Sequence, residues 1–220
     1  SETICNESTF STVSPTDTAN GDVVPEGTTY SWITPVSNPV NAITGGSAGT
    51  DQQSILGQTL FNETNSPATL TYTVTPTSAE GCVGTPFTVT ITVNPTGQVE
   101  PVSSQVVCNG DSTTVDFTTD NTGGTTTYTW SNTGGVDINI GPGETVNDSN
   151  TDITFTAVNE SSEPISTEIT VTPTFTNGGV SCVGPSETFT ITVNPEPQIN
   201  NFSETICNES TFSTVSPTDT

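Results

Sequence analysis

The chain has 220 residues, 24 of them Asp or Glu, with no Lys, Arg, His or Met, so its formal charge is −24. Side-chain ion pairs are therefore impossible, and nucleic acid is excluded as a partner because neutralising phosphate takes Lys or Arg. An anionic membrane surface would repel the chain, and no apolar run is long enough to insert into a bilayer.

Only 29% of residues are hydrophobic, a composition that disordered chains share. Here, though, the apolar residues alternate with polar ones, and aromatic residues sit inside the alternating runs. Trypsin-like proteases have no cleavage site at all.

Ser1–Thr18 reads SETICNESTFSTVSPTDT, and Ser203–Thr220 is the same eighteen residues, which sets a period of 202. Within one period lie two diverged copies. The first runs through Cys5-Asn6, Tyr30-Ser31-Trp32, then Leu70, Tyr72 and Val74 on one face of a strand. It continues with Gly81-Cys82-Val83-Gly84 and closes with Phe87, Val89, Ile91 and Val93 alternating with Thr88, Thr90 and Thr92. That period of two is the mark of a half-buried strand. Threonine suits the outer face, since its β-branch favours extended backbone and its hydroxyl stays hydrated. Asn94-Pro95 ends the strand because proline cannot donate to a ladder.

The second copy repeats the order: Cys108-Asn109, Tyr128-Thr129-Trp130, Ile169 to Pro173, Cys182-Val183-Gly184, then Phe189, Ile191, Val193 and Asn194-Pro195. A third copy begins near Cys207. No segment carries a helical period. The expected fold is all-β: tandem β-sandwich modules joined head to tail, similar to immunoglobulin or PKD folds. Module 1 is expected over 1–97, module 2 over 98–198, and the start of module 3 over 199–220. The Cys and Trp positions do not match the antibody pattern.

Asn65 to Ser78, followed by Gly81-Cys82-Val83-Gly84-Thr85-Pro86-Phe87-Thr88-Val89-Thr90, resembles the PKD-like repeat of Bacteroidota surface proteins, as does Ile43 to Thr50 upstream. The second copy is looser, with Ser161-Ser162-Glu163-Pro164 in place of the Asn-Ser-Pro phrase. Such repeats build very large exported adhesins, including the SprB-type mobile adhesins of gliding flavobacteria. The resemblance implies the bacterial outer cell surface, the type IX secretion route, and a stalk or adhesive role. It brings no ligand and no functional residues.

Five cysteines in so polar a chain indicate an oxidising compartment. The expected bridges are Cys5–Cys82 and Cys108–Cys182, one staple per module, with Cys207 pairing outside the chain. Loops of that size are stabilised by about 4 kcal/mol in the chain-entropy picture. The rival register joins Cys82 to Cys108 and Cys182 to Cys207, at spacings of 26 and 25. The strand Phe87–Val93 should hold Cys82 and Cys108 about 25 Å apart, which favours the staples.

Asp148, Asn150 and Asp152 alternate like the first ligands of a calcium loop, with Asp137, Asn139 and Glu144 nearby. The turning glycine of such a loop is missing, since Ile153 follows. A solvated acidic edge binding Ca²⁺ weakly and diffusely is the plainer expectation, and no other cofactor is expected.

Catalysis has little to build on. A Ser or Cys nucleophile normally needs a His or Lys base, and no acidic pair is framed by the aromatic residues of a sugar cleft. Trp32 and Trp130 recur once per module in Tyr-x-Trp strands, which suits a core residue better than a sugar platform. Asn-x-Ser/Thr triplets at Asn6, Asn62, Asn147, Asn159 and Asn208 arise readily in a Thr-rich chain, and Asp17-Thr18-Ala19 resembles a short O-glycosylation signal.

The expected role is a non-enzymatic stalk in an extracellular adhesin. Its partners are then neighbouring modules of the same chain, other cell-surface or gliding-machinery proteins, glycans or solid surfaces. The alternative is a repeated glycan- or surface-binding module acting by avidity.

Overall fold

The computed structural model describes residues 1–15, 22–132, 138–141, 143, 145–147, 153–199, 201, 203–211 and 214. All regular structure among them is strand. The first nine strands are β1 (Glu2–Cys5), β2 (Ser8–Thr9), β3 (Thr29–Trp32), β4 (Val36–Asn38), β5 (Ile43–Thr44), β6 (Gly49–Gln52), β7 (Thr59–Asn62), β8 (Ala68–Thr77) and β9 (Phe87–Asn94). One sheet runs β1-β9-β8-β3-β6, with β4 also on β8, and β2-β7-β5 forms the facing sheet.

Alternation decides what lies between the sheets. Ala68, Leu70, Tyr72 and Val74 of β8 and Val89, Ile91 and Val93 of β9 are buried, while the threonines between them stay half-exposed or exposed. Phe10, Ile55 and Leu60 close the core from the other side. Trp32 is 5% exposed and donates through Nε1 to the Ser47 carbonyl at 2.9 Å.

Tyr72 stands at the centre, its ring tilted against Phe10 at 5.6 Å and edge-on to Trp32 at 6.5 Å. Its hydroxyl bonds to Gln58 Oε1 at 3.0 Å. Burial pushes that hydroxyl from the usual 10.0 up to about 12, and moves Tyr30 in the same direction. The unfolded chain therefore ionises first. Stability is whole below pH 10 and falls as pH rises from 10 through 12, by no more than about 2 kcal/mol for Tyr72 alone once solvent screening is allowed for. Urea midpoints measured at pH 8, 10.5 and 12 should fall steeply over that interval, and Tyr72→Phe should flatten the fall. A wild-type midpoint unchanged to pH 12 contradicts this.

The second unit repeats the plan with β10 (Gln105–Cys108), β11 (Ser112–Val115), β12 (Thr125–Asn132), β13 (Thr145–Asn147), β14 (Ile153–Thr156), β15 (Ile165–Asn177), β16 (Val180–Val183) and β17 (Glu187–Asn194). Its large sheet is β10-β17-β15-β12-β13, with β16 also on β15, and β11 pairs with β14 opposite. Tyr128, Trp130, Ile169, Val171, Ile191 and Val193 fill a separate core.

Two features of this plan shape the ends of each unit. First, β1 lies parallel to β9, and β10 parallel to β17, in sheets whose other pairings are antiparallel. The parallel registers put Cys5 beside Asn94 and Cys108 beside Asn194, at the closing end of each unit. Second, β15 runs on through Pro173 after β17 has stopped at its pairing with Val171. The proline falls in the gap between the β17 and β16 ladders, where its missing N–H costs no hydrogen bond. Beyond it, β15 pairs with β16 on one edge and still with Thr125 to Thr127 of β12 on the other, and this end of the sheet forms an arm at the module's opening end.

Candidate functional site: the joint between modules

The arm of the second unit reaches the closing end of the first, and Cys182 on it forms a disulfide with Cys5, with Cα atoms 5.5 Å apart. This replaces both expected staples, Cys5–Cys82 and Cys108–Cys182. Because β1 is parallel to β9, Cys5 sits at the last residue of that strand, whereas Cys82 precedes its first. Eight residues of β9, about 25 Å, lie between them, far beyond what a disulfide spans. The rival pairing of Cys82 with Cys108 is not formed either; Cys82, Cys108 and Cys207 are free and exposed.

Polar contacts surround the bridge. Asn94, fully buried, donates through Nδ2 to the carbonyls of Asn177 at 2.9 Å and Val180 at 3.3 Å, and accepts at Oδ1 from Asn177 Nδ2 at 3.0 Å. The Gly97 N–H donates to the Cys182 carbonyl at 3.2 Å. On the opposite flank, the Thr122 N–H donates to the Asn65 carbonyl at 2.9 Å, and Asn121 Oδ1 accepts from the Gln98 N–H at 2.8 Å. The backbones meet so closely that a Cβ on Gly184 would lie 1.8 Å from the Gly97 carbonyl oxygen. Only glycine fits at that approach.

A second polar cluster, not anticipated as structural, holds the closing end of each unit in shape. Asn62 is 8% exposed; its Nδ2 donates to the carbonyls of Val93 at 2.7 Å and Ser66 at 2.9 Å, and its Oδ1 accepts from the N–H and hydroxyl of Thr64. Its own N–H donates to Asn6 Oδ1 at 2.7 Å. Asn159 repeats the set on Val193, Glu163, Ser161 and Asn109. The hydroxyl residue two positions on, which makes each an Asn-x-Ser/Thr triplet, is there to close an Asx turn. Buried amides of this kind are inaccessible to a glycan-transferring enzyme in the folded chain. Asn208 is exposed.

The calcium candidates Asp148, Asn150 and Asp152, with Asp137 and Glu144, lie outside the described residues, as does Asp17-Thr18-Ala19. Asn139 is described, and its Nδ2 donates to the Thr156 carbonyl at 3.1 Å. Among the described residues no three His, Cys, Asp or Glu side chains gather as a metal cluster, and no helix is long and apolar enough to cross a membrane. Trp32 and Trp130, each 5% exposed, are core residues and offer no face to a sugar ring.

Among solved structures the chain is similar to Drosophila N-cadherin EC1-3, at 15% identity and a TM-score of 0.33, covering 88% of this chain and 64% of that one. Human mucin-like protocadherin EC1-2 is similar at 12% identity and a TM-score of 0.31, over 89% of this chain and 95% of that one. CfaE, the adhesive subunit of the CFA/I fimbria of enterotoxigenic Escherichia coli, is similar at 10% identity and a TM-score of 0.32, over 77% of this chain and 73% of that one. The chain spans just under two thirds of the N-cadherin fragment, and at such scores none of the three bears on function. Compared with curated proteins, the sequence has no match. Residues 2–97 and 105–197 each match the PKD-like domain. With two consecutive matches taking up most of its length, the chain belongs to the PKD-like domain family.

Proposed function

We propose that this chain is a stalk segment of a giant bacterial cell-surface adhesin of the gliding-motility type, exported by the type IX route. The observation that carries the reading is the Cys5–Cys182 bridge, which joins two modules instead of stapling one. A bridge there limits bending between neighbours, and it needs the oxidising surroundings of an exported protein. Uniform negative charge suits the same role, since filaments of one sign repel each other at distances up to the screening length of about 8 Å. The work of such a segment is mechanical and non-catalytic: it carries a distal tip toward other surface proteins, glycans or solid surfaces.

Small-angle scattering of chains with one, two and three 202-residue periods tests the stalk. The maximum dimension should grow by a constant increment per period under oxidising conditions. Growth that levels off, as in a chain folding back on itself, overturns it.

A repeated binding module is the second reading, favoured by one observation. Ile33, Val36 and Val40 are exposed, and the two valines line a shallow cleft with Pro35 and Leu70. Saturable adsorption of the 220-residue chain to a glycan array or mineral surface, weakened by Val36→Ser with Val40→Ser, would favour that reading over the stalk.

A further inference from the structure

Cys82 and Cys108 are exposed thiols, and each stands on one half of a joint whose other half lies on the other module. Cys108 faces Asn194 across β10 and β17 at the register at which Cys5 faces Asn94. The N–H of Asn109 donates to the Asn194 carbonyl as that of Asn6 does to Asn94, both at 2.9 Å. The closing end of module 2 therefore presents the same socket that module 1 uses to receive an arm.

The opening end of module 1 presents the arm. Val83 bridges Thr77 as Val183 pairs with Thr174. The Gly84 N–H donates to the Pro76 carbonyl as Gly184 does to Pro173, both at 2.9 Å. Cys82 thus occupies the position of Cys182.

The occupied and vacant sockets differ in burial as a joint requires. Asn94, Pro95 and Gly97 are buried beneath the arm, while Asn194 and Pro195 are half-exposed and Pro197 is exposed. Gly84 has only its own Pro76 nearby, where Gly184 abuts Gly97 across the joint.

We propose that these are complementary halves of one interface: in an array with the 202-residue period, Cys108 of each period forms a disulfide with the counterpart of Cys82 in the next. Cys207 repeats Cys5 and takes the next period's counterpart of Cys182. Every junction is then closed by the same rule, first-strand cysteine to the following module's arm, and the array is one continuous covalent ladder. The inference rests on the repeat and the observed joint, and is independent of what the array adheres to.

The bonds form by thiol–disulfide exchange with an oxidant disulfide, either a protein dithiol oxidase or oxidised glutathione. One protein thiolate attacks the oxidant to give a mixed disulfide, and the second displaces it. Two protein thiols become one disulfide while the oxidant is reduced to two thiols, with protons and electrons balanced.

The two kinds of joint would not be equally strong. Pro197 replaces Gly97 and has no N–H for an arm carbonyl, and the arm of module 1 is three residues shorter than that of module 2, with no counterpart of Asn177. Both the Gly97–Cys182 and the Asn94–Asn177 hydrogen bonds are therefore missing from the second joint, which depends more on its disulfide.

The test is a chain of two consecutive periods, refolded with oxidised glutathione, alkylated without reduction, cut at acidic residues and mapped by mass spectrometry. Expected is a bond from Cys108 of the first period to the Cys82 counterpart of the second, leaving only the first Cys82 and the last Cys108 to alkylate. A first-period Cys108 that alkylates, or pairs with Cys182 of its own module, overturns the proposal. As a second measure, Cys108→Ser in the first period should quicken hydrogen–deuterium exchange of the linker amides of Glu196, Gln198 and Ile199 at least about tenfold, with exchange of Gly97 to Glu100 in the other linker unchanged. Equal exchange in that linker with and without the substitution counts against it.

Discussion

Asn159→Ala should destabilise the second module by about 2 kcal/mol, and Asn62→Ala the first by a similar amount, although neither residue contributes apolar area to a core. The Asn159 amide donates to the Val193 carbonyl at 2.8 Å and the Glu163 carbonyl at 2.9 Å, while its Oδ1 accepts from the N–H and hydroxyl of Ser161. Asn159 is 3% exposed and Val193 fully buried, so water cannot replace the bond between them, whereas Ser161 and Glu163 are exposed. Alanine thus leaves a buried strand carbonyl unpaired, at about 1–3 kcal/mol, and gives up the turn bonds to Ser161, which water partly replaces. It also frees the turn that aligns Asn159 with Asn109. Asn159→Asp separates the parts: it keeps the acceptor but turns a carboxylate oxygen toward two carbonyls, and should be at least as damaging as alanine. Urea unfolding checks this through a lower midpoint at unchanged slope. A loss below about 0.5 kcal/mol, the size of an ordinary surface substitution, would show that the cluster does not hold the closing end together.

The strands that carry the core were readable because two-residue alternation is a local signal. Leu70, Tyr72 and Val74, like Phe189, Ile191 and Val193, could face the core only if their segments were extended, and they do. The two tryptophans could be assigned to the core for the same reason. The direction of β1 was not readable. Only Ile4 of its four residues is buried, too weak an alternation to choose a partner, let alone a parallel one. That direction decides which end of the module Cys5 occupies, so the disulfide pairing was out of reach with it. The strand-length argument that separates Cys82 from Cys108 separates Cys5 from Cys82 just as well once β1 is known to run with β9. The Asn62 and Asn159 clusters escaped for another reason: the Asn-x-Ser/Thr pattern that marks a glycan acceptor also describes an Asx turn, and only burial tells them apart.

Cys5→Ser should show whether the joint couples the stability of the two modules. The bridge closes a sequence separation of 177 residues, for which the chain-entropy picture gives about 5 kcal/mol when both modules unfold. Less is felt when only one module opens, because the other, still folded, already shortens the free loop. In the oxidised chain the two modules should therefore unfold at higher denaturant and closer together than in the serine variant, where two separate transitions are expected. Cys182→Ser should give the same curve as Cys5→Ser, since each removes the same bond. Cys207→Ser should change nothing, because that residue is exposed and unbridged in this chain. What remains in the variants is the polar contact set of Asn94, Asn177, Gly97 and Asn121, whose hydrogen bonds contribute about 1 kcal/mol each. Those contacts orient the modules, and the disulfide makes the orientation persist under load. Unchanged unfolding in Cys5→Ser would mean that the polar contacts alone hold the joint, and that reduction would leave the array as stiff as before.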